Sequence, residues 1–220
     1  MNLPNKLSCL RILLMPFVLG FAYLANSLGM KEQRIGAVLS MVIALLLFAL
    51  ASFSDFLDGH IARKYNIVSN FGKFIDPIAD KLLILATMIL FVELGYISAW
   101  VPIITLFRDL IVTGMRLIAV ESSGKVIAAN FWGKIKTVSQ IAALLVCFAY
   151  GIYSFAVGSV GDMITIQHGF QLADVELSSA YAALHNFYFM MNSLAWVTVA
   201  IALFSGLTYW LSNRKLLTVA

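Results

Sequence analysis

Six apolar runs divide the chain, at about 8–28, 35–54, 74–94, 97–118, 137–157 and 187–211. Several approach or exceed the roughly 18 to 20 apolar residues needed to cross a bilayer. No stretch alternates apolar and polar positions over the roughly ten residues that mark a transmembrane strand, so the runs predict helices. The chain has no internal repeat, low-complexity tract or long soluble linker, which predicts one membrane domain over residues 1–220. The expected fold is all-α and integral to the membrane, with six transmembrane helices.

Composition agrees with the pattern. Of the 220 residues 61% are hydrophobic and only 12% charged, with a mean hydropathy of +0.92. A soluble domain carries about 25% charged residues, so a soluble two-layer core would lack polar surface. The net charge of +4 is basic, but Lys and Arg sit at the ends of the apolar runs. That placement points to membrane orientation and anionic headgroups rather than to nucleic acid.

The basic residues also orient the chain. With the N-terminus inside, the inner side receives Lys6, Arg11, Arg63, Lys64, Lys73, Lys81, Arg116, Lys125, Lys134, Lys136, Arg214 and Lys215. The outer side receives Lys31 and Arg34, and Arg108 is left within the fourth run. This bias places both termini in the cytoplasm. No small-x-small cleavage site cleanly follows the first run, so it is expected to be a retained helix. Cys9 and Cys147 lie in or beside apolar runs without ligand-like spacing, as packed thiols do. The outer loop at about 158–186 holds Asp162, His168, Asp174, Glu176 and His185 in loose spacing, expected of a solvated loop rather than a metal site.

Against this apolar background the stretch SDFLDGHIARKYNIVSNFGKFIDPIADK, Ser54 to Lys81, gathers Asp55, Asp58, Asp76 and Asp80. Asp55 and Asp58 share a helix face with Ala62, and Gly72, Asp76 and Asp80 share another. A short basic turn joins the two faces. Pro77 either starts the third helix or kinks it. Four carboxylates brought together are not all ionised at neutral pH unless cations neutralise them. Oxygen-only ligands favour Mg²⁺ or Mn²⁺, and four carboxylates suit two ions, an arrangement fitted to phosphoryl displacement. The competing reading pairs the acids with Arg63, Lys64, Lys73 and Lys81. It leaves unexplained the shared facing and the small residues Gly59, Ala62 and Gly72, which keep a helix wall open to something bulky.

The spacing D-x-x-D-G-x-x-A-R-x8-G-x-x-x-D-x-x-x-D, carried by Asp55, Asp58, Gly59, Ala62, Arg63, Gly72, Asp76 and Asp80, resembles the signature of the CDP-alcohol phosphatidyltransferases, six-helix membrane enzymes. The resemblance implies that Asp55, Asp58 and Asp76 hold the metal ions. Asp80 would be the general base that activates the acceptor hydroxyl, with a possible ligand role. It further implies that Gly59 and Ala62 make room for the cytidine and that Arg63 meets the diphosphate.

Other segments bear on the acceptor. NLPNKLSCLRILLMP resembles the opening of the bacterial phosphatidylglycerophosphate synthase branch, with Pro4, Asn5 and Arg11 in place and Ser8 where Thr is more usual. Asn5 and Ser8 can bond a nucleotide and Arg11 can meet a phosphate; the alternative is that Lys6 and Arg11 only orient the chain. In RDLIVTGMRLIA, Arg108 and Arg116 lie eight residues apart and so share a face. An Arg inside a span needs a partner. Asp109 is adjacent, but neighbours on a helix point apart, so a bound phosphate is the expected partner of Arg108, with a motif aspartate as the alternative. GKIKT adds Lys134 and Lys136. Both segments resemble the same branch, and the four cations make a candidate pocket for a phosphorylated acceptor.

The resemblance therefore implies transfer of a phosphatidyl group from CDP-diacylglycerol to glycerol 3-phosphate, with CMP released. It also implies a homodimer in the bacterial inner membrane, with its active site on the cytoplasmic side. Phosphatidylglycerol, inositol phosphate and serine are the rival acceptors. A cation- or proton-coupled transporter is the rival class, but such proteins place acids near the midplane and show internal repeats.

Overall fold

The computed structural model describes residues 3–65, 70–123, 131–157 and 177–217, all helical apart from residues 31–33 and 94–99. The helices are α1 (Leu3–Met30), α2 (Arg34–Tyr65), α3 (Asn70–Glu93), α4 (Trp100–Ser123), α5 (Phe131–Val157) and α6 (Leu177–Leu217). Each coincides with one of the six apolar runs. No strand occurs among the described residues, and the protein is an all-α membrane protein.

Two elements differ from expectation. α2 continues eleven residues past Ser54, through Asp55 and Asp58 to Tyr65. α6 begins at Leu177, so ten residues expected in the outer loop are helical; residues 158–176, with Asp162, His168, Asp174 and Glu176, lie outside the described residues. Pro77 does not start α3, which begins at Asn70. Among the described residues, four segments are long and apolar enough to cross a membrane: Cys9–Met30, Arg34–Ser54, Phe131–Val157 and Asn186–Ser212. α3 and α4 stand where two further spans were expected but carry charge within their apolar runs: Asp76, Asp80 and Lys81 in one, Arg108, Asp109 and Arg116 in the other.

The connections show how the chain reverses. At the end of α3 the Tyr96 amide donates to the Phe91 carbonyl at 2.8 Å and the Gly95 amide to Val92 at 3.0 Å. Gly95 has φ 76°. This is a Schellman cap, and its customary apolar contact is the stack of Tyr96 on Phe91, centroids 5.4 Å apart. The same bond pattern ends α1, Gln33 to Leu28 and Glu32 to Gly29, but there Glu32 takes the left-handed position at φ 59°. A side chain in that conformation costs on the order of 1 kcal/mol. α4 starts on a cap from Ser98, whose hydroxyl oxygen accepts the Trp100 amide at 3.4 Å. The Ser98 amide in turn donates to Asn192 Oδ1 on α6 at 3.1 Å.

Burial follows helical periodicity. Along α2 the fully buried positions are Ala37, Met41, Ala44, Phe48 and Ala51, spaced alternately by four and three. Along α1 they include Val18, Ala22 and Ala25. α1 packs most extensively on α2 and then on α3; α5 packs on α2 and α6, and α4 on α6. Small residues suit such close approach without lipid between helices. Aromatic rings fill the wider spaces: Phe91 meets Phe148 edge-on at 4.9 Å, Phe48 lies 5.4 Å from Phe148, and Phe187 meets Tyr96 edge-on.

Candidate active site

The buried stripe of α2 runs straight into the acidic motif. Continuing the four–three spacing past Ala51 reaches Asp55, Asp58 and Ala62. On α3 the buried positions include Leu83, Thr87 and Leu90, together with Ala79, Ile84, Met88 and Phe91. Counting back from Leu83 by three, seven and eleven residues reaches Asp80, Asp76 and Gly72. All four aspartates thus occupy register positions of the inward faces, on stretches of α2 and α3 joined by a connection of four residues.

The side chains of Asn5, Ser8, Asp55, Asp58, Gly59, Ala62, Arg63, Gly72, Asp76 and Asp80 lie outside the described residues. Among the described residues no three His, Cys, Asp or Glu gather as metal ligands, a statement that leaves the motif aspartates apart. The donor set itself, four carboxylates at inward register positions, fits hard divalent cations. The apolar run of α2, Arg34–Ser54, has 21 residues and spans about 32 Å, close to the roughly 30 Å hydrocarbon thickness of a bilayer.

The first half of α1 adds Arg11, seven residues before Val18 and on the same stripe, with 1% of its surface exposed. Burying a guanidinium so completely costs several kcal/mol unless anions or hydrogen bonds receive it.

α4, α5 and α6 supply a second polar group. Arg108 Nη1 donates to Asp109 Oδ1 at 2.9 Å, Nη2 donates to Ser205 Oγ at 2.7 Å, and Nε donates to the Ala202 carbonyl at 3.0 Å. Lys136 Nζ donates to Asp109 Oδ2 at 2.6 Å. Thr113 Oγ1 donates to the Asp109 carbonyl at 2.7 Å and accepts from Lys81 Nζ on α3 at 2.6 Å. One turn deeper, Gln140 Nε2 lies 3.5 Å from Thr105 Oγ1. Two cations, Arg108 on α4 and Lys136 on α5, thus hold one carboxylate, and Lys81 on α3 joins the group through Thr113 and the Asp109 backbone carbonyl.

This corrects the expectation that Arg108 and Asp109 point apart. Their Cβ atoms do diverge, but the long Arg side chain folds back to reach its neighbour's carboxylate while also bonding α6. Arg116 shares the α6-facing side of α4 with Arg108, as the eight-residue spacing implies, and its guanidinium lies 5.4 Å from the Tyr209 ring centroid. Lys136 is buried and Lys134 exposed, as residues two apart on a helix must differ. The structure thus brings Arg108 and Lys136 together through Asp109, with Arg116 two turns along and Lys134 on another side of α5. Sequence reasoning missed Asp109, Thr113, Lys81 and Ser205 as members of this group. The one signal available was an Asp four residues before a Thr inside an apolar run.

The family described as CDP-alcohol phosphatidyltransferase matches residues 1–167. The chain is 42% identical over 144 residues to the CDP-diacylglycerol–glycerol-3-phosphate 3-phosphatidyltransferase of Bacillus subtilis (strain 168), over 65% of this chain and 74% of that protein. To the similarly named protein of Mycoplasma pneumoniae it is 40% identical over 157 residues, 68% of this chain and 69% of that one. To that of Rickettsia felis it is 40% identical over 145 residues, 65% of this chain and 72% of the relative.

Proposed function

Because the chain belongs to the CDP-alcohol phosphatidyltransferase family, we propose that it transfers the phosphatidyl group of CDP-diacylglycerol to glycerol 3-phosphate, giving phosphatidylglycerophosphate and CMP. The relatives named for this reaction support the reading. The observation that carries it is the pairing of two chemistries: aspartates at inward register positions of α2 and α3, and a cationic group on α4 and α5 tied to α3 through Lys81 and Thr113.

The family is generally dependent on divalent cations, and Asp55, Asp58, Asp76 and Asp80 are the residues that would hold two of them, Mg²⁺ or Mn²⁺. When bound, such ions neutralise the diphosphate charge that grows as CMP departs. The chain's own residues do the rest. Asn5, Ser8, Arg11, Gly59, Ala62, Arg63 and Gly72 receive the cytidine diphosphate, the small residues leaving room for the base. Asp80 takes the proton of the acceptor's primary hydroxyl. The freed oxygen pair attacks the phosphatidyl phosphorus, the bond from phosphorus to the CMP oxygen breaks, and CMP leaves with that electron pair. Arg108 and Lys136 form the inner part of the acceptor-phosphate pocket, with Arg116 and Lys134 at its rim.

The same reading takes the chain as a single membrane domain with six spans and both termini in the cytoplasm. It sits as a homodimer in the bacterial inner membrane, with the active site at the cytoplasmic face.

The test is CMP release by purified protein from CDP-diacylglycerol with glycerol 3-phosphate, phosphatidylglycerol, inositol phosphate or serine offered in turn. Release with glycerol 3-phosphate is expected. No release with it, alongside release with another acceptor, would overturn the assignment.

A further inference from the structure

We propose that Asp109 is a positioning residue for the acceptor: its carboxylate fixes the Arg108 guanidinium and the Lys136 ammonium in the arrangement that receives the acceptor's phosphate. This rests on the reading of glycerol 3-phosphate as acceptor.

The geometry is specific. Each oxygen of one carboxylate holds a different cation from a different helix, Oδ1 taking Arg108 Nη1 at 2.9 Å and Oδ2 taking Lys136 Nζ at 2.6 Å. The carboxylate and both cations are largely dry, with Asp109 8%, Lys136 9% and Arg108 12% exposed. Without an anion between them, two cations at this depth would repel and take other rotamers. Three of the five N–H groups of Arg108 are engaged, by Asp109, Ser205 and Ala202. Two remain for a ligand, in a plane that those bonds fix.

Asp109 does not suit direct contact with the substrate. Its two oxygens already face cations, and a carboxylate against a phosphate would repel it. It acts through its neighbours. Its backbone carbonyl extends the link, because Thr113 Oγ1 donates to it while accepting from Lys81, the residue after Asp80. The pocket for the acceptor's phosphate is thereby held in register with the helix that carries the base for the acceptor's hydroxyl. Placing those two ends of one small molecule is what brings its oxygen into line with the phosphorus.

A purely structural role, pinning α4 to α5, is the competing account, and kinetics separate the two. Initial rates of CMP release by the purified protein would be measured against glycerol 3-phosphate and against CDP-diacylglycerol. Asp109→Asn is expected to raise KM for glycerol 3-phosphate about tenfold or more, the scale of a lost charged hydrogen bond. KM for CDP-diacylglycerol should stay within about twofold, because uniform loss of folded enzyme does not change KM. Asp109→Glu should recover part of the loss, and it carries the test on the same criteria if Asp109→Asn yields no folded protein. Equal rises in both KM values, or a fall in kcat with both unchanged, would overturn the proposal. Should wild-type protein turn over only a different phosphate-bearing acceptor, the function reading falls while the same KM split decides the role of Asp109. Turnover only with an acceptor lacking phosphate would sink both.

Discussion

Lys136 on α5 donates to Oδ2 of Asp109 on α4 across 2.6 Å, and the two side chains are 9% and 8% exposed. Asp109 also holds Arg108, so the pair is asymmetric: the carboxylate serves two cations, whereas losing Lys136 still leaves it one. Breaking a buried ion pair costs about 3–5 kcal/mol, mostly from the charge left behind. Asp109→Ala should therefore lower thermal stability in detergent more than Lys136→Met does. The double change Asp109→Leu with Lys136→Met should recover only part of the stability, because Arg108 is still left without its carboxylate, and it should not restore turnover. Melting curves of the variants check the order, and a larger loss for Lys136→Met would contradict it.

Asp80 stands at an inward register position three residues before the buried Leu83. As the proposed base, it should be needed for turnover and not for holding the CDP-lipid. Asp80→Asn should leave less than about one-hundredth of the rate, within the range assigned to general base catalysis. Binding of CDP-diacylglycerol, measured separately by calorimetry, should stay near its wild-type strength. Near-normal turnover by the Asn variant would remove Asp80 from that role.

Gly206 lies against Arg108. A Cβ at this position would sit 3.3 Å from Arg108 Cγ and 3.4 Å from Nε, close enough to displace the side chain that the acceptor's phosphate is proposed to meet. Gly206→Ala should raise KM for glycerol 3-phosphate by a few-fold, roughly a 1 kcal/mol effect, with KM for CDP-diacylglycerol unchanged. Arg108→Ala should show the same selectivity more strongly. Steady-state kinetics on both substrates provide the check, and matched changes in the two KM values would argue against the pocket.

Gly151 is a packing position far from that chemistry. A Cβ there would come within 2.5 Å of Met41 Cε and 3.2 Å of the Tyr96 hydroxyl, inside the aromatic cluster between α2, α5 and the α3–α4 connection. Overpacking of this kind costs about 1–3 kcal/mol. Gly151→Ala should lower the melting temperature while leaving both KM values intact, and its cost should shrink when it is made in a Met41→Ala background, where Met41 Cε no longer blocks the new Cβ. An undiminished cost in that background would place the strain elsewhere.

The sequence by itself determined the helices and their faces. Apolar runs long enough for a bilayer admit only helices, because backbone groups in hydrocarbon must bond within their own segment. The aspartate spacing placed Asp55, Asp58, Asp76 and Asp80 on shared faces, and those faces prove to be continuations of the buried stripes through Ala51 and Leu83. Periodicity carries this information because it depends only on residues a turn or two apart. Tertiary structure alone decided what Arg108 and Lys136 touch. Their partners Asp109, Ser205 and Ala202 lie on two helices, α4 and α6, and up to 97 positions away, and a long flexible side chain selects among such neighbours only after packing has brought them near. Where α2 ends and α6 begins was also decided there, since a helix can outrun its apolar stretch once neighbouring helices and the membrane surface support the extra turns.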